Sequence, residues 1–120
     1  MNEVTLHVDT FEAFADRALA MARGLDRGER IQDRALRSFE SMAGLLKLLS
    51  ANRWALMAMS RKRGPSSIRA LAKALGRDYR GVHADVALLV EAGLISRAEN
   101  GEVSVPWTRI TAEMDLGAAA

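Results

Sequence analysis

Residues 64–107 read GPSSIRALAKALGRDYRGVHADVALLVEAGLISRAENGEVSVPW, two helical periods followed by an alternating one. Gly64 and Pro65 break whatever precedes them, and Ser66 or Ser67 offers a side-chain oxygen to cap the next helix. Ile68, Leu71, Ala72 and Leu75 recur at three and four residues as one apolar stripe, and Gly76 suits the left-handed backbone that ends a helix. After a short turn, Val82, Val86, Leu89 and Val90 repeat the stripe until Gly93 closes it. Leu94 and Ile95, then Asn100-Gly101, then Val103, Val105 and Trp107 predict a β-hairpin with a two-residue turn.

Upstream, Ser50 is placed to cap a helix containing Trp54, Leu56, Met57 and Met59. That helix runs into Arg61, Lys62 and Arg63, cations suited to a negative carboxyl end. Met42, Leu45, Leu46, Leu48 and Leu49 form a shorter apolar helix before it. At the amino end, Val4, Leu6 and Val8 alternate with polar residues and predict a strand over residues 3–9. Asp9 or Thr10 then caps an amphipathic helix carrying Phe11, Phe14, Ala15, Ala18, Leu19, Ala22 and Leu25. Residues 27–41 are polar and hold a boundary, with a short strand at Leu36 to Phe39. After Pro106, Ile110, Ala112, Met114 and Leu116 alternate as a last strand. The expected organisation is a strand-helix segment at 1–40, a second domain at 41–116 and a flexible tail at 117–120, with no internal repeat.

The 120 residues, 49% hydrophobic and 27% charged, match an ordinary globular domain and exclude two independent enzymatic domains. Cysteine is absent, which removes disulfides, thiolate nucleophiles and cysteine-bearing zinc sites. No apolar run approaches the roughly 20 residues of a membrane helix, and the start MNEVTLHVDT lacks the order of a signal peptide. A cytoplasmic location without a membrane partner is therefore expected. Charge is segregated: residues 41–97 carry ten Lys or Arg against three acids, net +7, while residues 1–40 sum to −2 and residues 98–120 to −3. Only the central block has the makings of an anion binder.

Helix, helix, tight turn, helix, hairpin is the order of a winged helix-turn-helix, a mainly α (α+β) fold, here with an N-terminal strand-helix extension and a C-terminal strand. In that arrangement the Ser67–Leu75 helix crosses a phosphate strand with Ser66, Ser67 and Arg69 near its start. The next helix offers Arg77, Tyr79, Arg80, His83 and Ala84 as candidates to meet base edges. Among them Arg80 is the first choice for a two-point contact with guanine. Arg97 and Asn100 place the hairpin against the backbone or minor groove. Each has a plainer reading: Arg77 and Arg80 as solvated surface, Tyr79 and His83 as packing, and Asn100 as a turn residue. Asp85 on the same helix would repel phosphate, so it is expected to turn aside and pair with an arginine, with Arg69 as a candidate.

The strings ANRWALMAM, GPSSIRALAKALGRDYRGVHADV, EAGLI and VSVPW resemble a small prokaryotic MarR-like winged helix-turn-helix transcriptional regulator family that includes TumA-type antitoxins. The resemblance covers about residues 36–116 and matches Ser67, Arg69, Arg77, Tyr79, Arg80 and His83 to the helix-turn-helix motif. It implies binding of double-stranded DNA and repression and, as in the antitoxin members, toxin neutralisation, so the expected function is a sequence-specific transcriptional regulator acting as the autorepressing antitoxin of a type II toxin-antitoxin pair, with a cognate toxin protein as partner. Ala84 and Ala87 depart from it where basic residues are expected, and Ala70 stands where a capping box would have an acid.

Catalysis finds no machinery. The only histidines, His7 and His83, are far apart; His83 and Asp85 do not share a helix face; no glycine-rich loop opens a helix. Neither an enzyme nor a metal or other cofactor is expected. A single recognition helix reads few base pairs and palindromic operators favour two-fold proteins, so a homodimer is expected, and the unpartnered elements, with Val4, Leu6, Val8, Phe11, Phe14, Ala18 and Leu25, are the expected dimer or partner interface. The alternative is a protein-interaction module that neutralises a toxin or other partner without specific DNA reading. Double-stranded RNA binding by shape is a third, weaker reading.

Overall fold

The computed structural model describes residues 2–8, 19–20, 22–23, 34–39 and 41–113, and these form an α+β chain. Strand β1 (Glu3–Val8) is followed by β2 (Arg34–Phe39) and by helices α1 (Met42–Leu48), α2 (Ala51–Arg63), α3 (Ile68–Leu75) and α4 (Tyr79–Glu91). The short strands β3 (Ser96–Arg97) and β4 (Val103–Ser104) come next, and β5 (Arg109–Glu113) ends the series. The elements fall into two compact units, Met1–Leu46 with Trp107–Ala120 and Lys47–Pro106, the division falling within α1.

In the first unit the alternation of Val4, Leu6 and Val8 gives a strand, as expected, but its neighbours come from far along the chain. β1 is the central strand of a parallel sheet ordered β2-β1-β5, with Val4 paired to Ala35 on one side and Ile110 on the other. Thr108 donates both its backbone N–H and its hydroxyl to the Asn2 carbonyl, at 2.8 and 2.9 Å, which seats the incoming chain. The strand after Pro106 therefore belongs with β1, and residues 41–116 are not one unit as the sequence reading had them. Val4, Leu6 and Val8 are buried within the chain itself. Their side chains are already out of water, so they are not free to serve as the dimer or partner surface expected of them, and pairing on both sides occupies the strand's backbone as well. Leu19, Ala20, Ala22 and Arg23 are helical; the rest of the expected helix, with Phe11, Phe14, Ala18 and Leu25, lies outside the described residues, as does the tail at 117–120.

The second unit is built from short-range signals. Ser50 accepts from the Arg53 N–H and caps α2; Ser67 accepts from the Ala70 N–H at 3.0 Å and caps α3; Asp78 accepts from the Gly81 N–H at 3.2 Å and caps α4. Gly76, at φ 64° and ψ 32°, takes the left-handed conformation that ends α3. At the end of α4 the Leu94 N–H returns to the Leu89 carbonyl at 2.9 Å across Gly93. The core combines Leu56 and Met57 of α2, Ile68, Leu71 and Ala72 of α3, Val82, Val86 and Leu89 of α4, and Leu94, Ile95, Val103 and Val105 of the hairpin. Burial of these side chains out of water is what holds three short helices together.

The hairpin forms where Asn100-Gly101 predicts it, with a different turn. Gly101 N–H bonds the Ala98 carbonyl and Ala98 N–H bonds the Glu102 carbonyl, enclosing a three-residue loop. Gly101 has φ 87°, whereas no non-glycine among the described residues has positive φ, so Asn100 does not adopt the conformation that a two-residue type I′ turn requires. One side chain explains the choice. Asn100 Oδ1 accepts from the Glu102 N–H and its amide donates to the Glu102 carboxylate, a local bonding pattern that competes with the tighter turn.

Candidate nucleic-acid interface

The turn Gly76–Asp78 brings the start of α3 and the start of α4 to one side of the second unit, and the hairpin tip closes it. The result is an open groove of about 370 Å³. Six of the residues singled out from sequence line it: Ser67, Arg69, Tyr79, His83, Arg97 and Asn100, with Ile68 and Gly101 completing the wall. The Arg69 guanidinium lies 5.1 Å from the centre of the Tyr79 ring, a cation-π contact, and the Tyr79 and His83 rings are tilted at 44° with centres 5.8 Å apart. Arg69, Tyr79 and His83 thus form one continuous stack joining α3 to α4. Lys47–Pro106 carries ten Lys or Arg against five acids, net +5, so the groove lies in the positive unit of the chain.

Arg80 and Ala84 are exposed on α4, one turn apart, and Arg80 forms no ion pair among the described residues.

Three assignments change. Ser66 is buried, and its backbone N–H and carbonyl both pair with Val103, at 3.1 and 2.8 Å, so it works as a strand bridge to the hairpin and not as a phosphate contact. Arg77 is held by Asp85, Nη2 to Oδ2 at 2.9 Å, which withdraws it from the base-reading set. Asp85 does turn aside to arginine, but to Arg53 and Arg77, not to Arg69, whose guanidinium is committed to Tyr79. The Asn100 side chain is likewise engaged in the turn.

Arg53 is the residue that sequence reasoning missed. Its Nε donates to Asp85 Oδ1 at 3.2 Å, while Nη1 donates to the Lys47 carbonyl at 2.7 Å. One guanidinium therefore satisfies an open carbonyl at the end of α1 and half of the carboxylate on α4. The only signal was indirect: a lone acid on a basic helix demands a cation, and nothing in a separation of 32 residues says which. With two arginines on one carboxylate, the acid of α4 is neutralised by its own scaffold, leaving the outward face of the helix without negative charge until Glu91. Arg61 is also engaged, donating to the Val105 carbonyl at 3.1 Å and tying α2 to the base of the hairpin.

Among the described residues no group of three or more acidic or histidine side chains could hold a metal ion, and no helix is long and apolar enough to cross a membrane. Compared with known proteins, the chain matches the family model HVO_A0114 over residues 48–112, just over half its length and nearly all of the second unit. No curated protein and no solved structure matches it.

Proposed function

The chain belongs to the HVO_A0114 family, and on that premise we propose that residues 47–106 act as a winged helix-turn-helix that binds double-stranded DNA sequence-specifically, as a transcriptional regulator. One observation carries the reading: Ser67, Arg69, Tyr79, His83 and Arg97 converge on a single groove beside the exposed Arg80, while the one interior acid of α4 is already neutralised. In this reading α3 lies over the phosphate backbone, with Ser67 and Arg69 at its amino end. α4 enters the major groove and Arg80 makes a bidentate contact to guanine. Arg97 sets the hairpin against a neighbouring phosphate. One such helix reads few base pairs, so the proposal includes two copies on a two-fold operator.

The test is selection of duplexes from a random pool, followed by fluorescence anisotropy on the selected and a scrambled sequence across a salt series. A preference for the selected duplex that Arg80→Ala reduces roughly 5- to 150-fold, the equivalent of about 1–3 kcal/mol, is expected. Equal binding of both duplexes would overturn specific reading. Trp54 and Leu88, 53% and 42% exposed, favour a second reading in which this unit holds a protein partner. The salt series separates the two, because phosphate contacts weaken steeply and linearly in log salt and an apolar interface does not.

A further inference from the structure

The sheet of the first unit is open along β5. Among the described residues β5 pairs with β1 alone, and Arg109, Thr111, Ala112 and Glu113 are all exposed. Ala112 stands in register with Leu6, which is fully buried, so the covered face of the sheet runs out into solvent at this edge. A free edge of N–H and C=O groups is a template for another strand, and proteins usually block it with lysine, proline or a bulge. Residues 109–113, RITAE, hold neither lysine nor proline, and their register with β1 is continuous. They hold instead two charges of opposite sign, one at each end and equally far from Thr111.

We propose that two copies of this chain join through β5, edge to edge and antiparallel, about a two-fold axis at Thr111. In that register Arg109 stands opposite Glu113 of the second copy, Ile110 opposite Ala112, and Thr111 opposite itself, and the symmetry makes the first two pairs twice. Opposite charges and paired threonines are favourable neighbours across strands. The members of each pair are an even number of residues apart in the strand, so outward N–H groups meet outward carbonyls whichever alternate residues face the edge. A parallel copy in register would set Arg109 against Arg109 and Glu113 against Glu113, so the charges choose the direction. Both are free to do so. The Arg109 and Glu113 side chains are 71% and 60% exposed; Arg109 Nε reaches Glu3 only at 3.9 Å, and Glu113 meets His7 Nδ1 at 3.0 Å through Oε2 alone, leaving Oε1 for a second copy. The opposite edge lacks this match, since β2 (RALRSF) has two arginines and no acid. The joined sheet would run β2-β1-β5-β5-β1-β2, with Ile110 and Ala112 of the two copies side by side. This contact uses no residue of the nucleic-acid groove and forms without DNA, and it supplies the second copy that a two-fold operator calls for.

The test is the mass of the full chain in solution without DNA, by sedimentation velocity over a concentration series. The unaltered protein should reach the mass of two chains. Arg109→Glu and Glu113→Arg should each weaken self-association about tenfold or more, because each sets like charges opposite one another at two places. An equimolar mixture of the two variants should dimerise as the unaltered chain does, since in the mixed pair every charge again faces its opposite. Mixing would not repair a disturbance confined to one chain. Thr111→Lys, which puts two ammonium groups on the axis, should give a monomer that stays folded by circular dichroism. In the unaltered chain, amide exchange within residues 109–113 should slow as the concentration rises, a readout that needs no variant to fold. A monomer at every concentration would overturn the proposal, and so would a dimer that persists in all three variants. Variants that stay monomeric when mixed would overturn the register. A monomer that still selects one duplex from a random pool would overturn the β5 contact and leave the DNA reading intact, whereas a β5 dimer that selects none would do the reverse.

Discussion

The two units of this chain are assembled by opposite means. Lys47–Pro106 is closed by devices a few residues long: three side-chain caps at Ser50, Ser67 and Asp78, left-handed glycines at Gly76 and Gly93, and a three-residue hairpin loop. The sheet of the other unit joins segments from the beginning, the first third and the end of the sequence, with β1 pairing in parallel to both β2 and β5. Local signals build the surface on which function is proposed. Long-range pairing, costly in chain entropy, builds the sheet. The difference predicts that the two respond to different kinds of mutation.

The chain has one tryptophan in each unit, Trp54 and Trp107, so Trp107→Phe and Trp54→Phe backgrounds report each unit separately in urea. Leu6→Ala, at a fully buried position in the central strand, should have the largest effect, about 3–4 kcal/mol on the Trp107 transition and little on that of Trp54. If both transitions moved together, the units would be one cooperative body and the comparison would fail. Asp85→Ala should do the converse. Removing the carboxylate leaves Arg53 and Arg77 facing each other without a counter-charge, and the Trp54 transition should lose about 3 kcal/mol. Asp85→Asn, which keeps a hydrogen-bond acceptor, should lose less; an unchanged midpoint in both variants would mean that the network contributes no net stability.

That network marks the limit of what the residues alone make legible. The helices of the second unit could be read from the stripes Ile68-Leu71-Ala72-Leu75 and Val82-Val86-Leu89, because period and caps are properties of neighbours in sequence. The groove was legible for the same reason: Ser67, Arg69, Tyr79 and His83 lie at fixed distances from helix starts. Asp85 could be seen to need an arginine, but the choice of Arg53 and Arg77 over Arg69 depends on how α2 and α4 pack, which no spacing encodes. Alternation in β1 shows that a strand exists and not which strands flank it, so Val4, Leu6 and Val8 looked like a free surface when they are a covered one. Ser66 and Ser67 are chemically identical as caps. Only the pairing of the Ser66 backbone with Val103 decides that Ser67 takes the role.

Ser67→Ala tests the local side of the comparison at smaller scale. Loss of the bond to the Ala70 N–H should cost about 1 kcal/mol in the Trp54 transition. The same change should weaken DNA binding on the selected and scrambled duplexes equally, since a group at the backbone positions without specifying. A loss confined to the selected duplex would give Ser67 a base contact instead.

The smallest expected effect is a gain. Gly81 has helical backbone in the first turn of α4, where glycine is less favourable than alanine by up to about 1 kcal/mol. A Cβ built there would meet Arg77 Nη2 at 3.4 Å, ordinary contact with the end of a flexible side chain. Gly81→Ala should therefore raise the stability of the Trp54 transition by about 0.5 kcal/mol. That Nη2 is also the atom on Asp85 Oδ2, so the new methyl probes the ion pair as well as the helix. If stability fell instead, Arg77 would have no room to give, and the pair would hold the start of α4 by close fit as well as by charge. Adding Asp85→Ala to Gly81→Ala resolves the two effects: a methyl that gains only in the absence of the carboxylate is limited by the ion pair, whereas an equal gain in both backgrounds belongs to helix propensity alone.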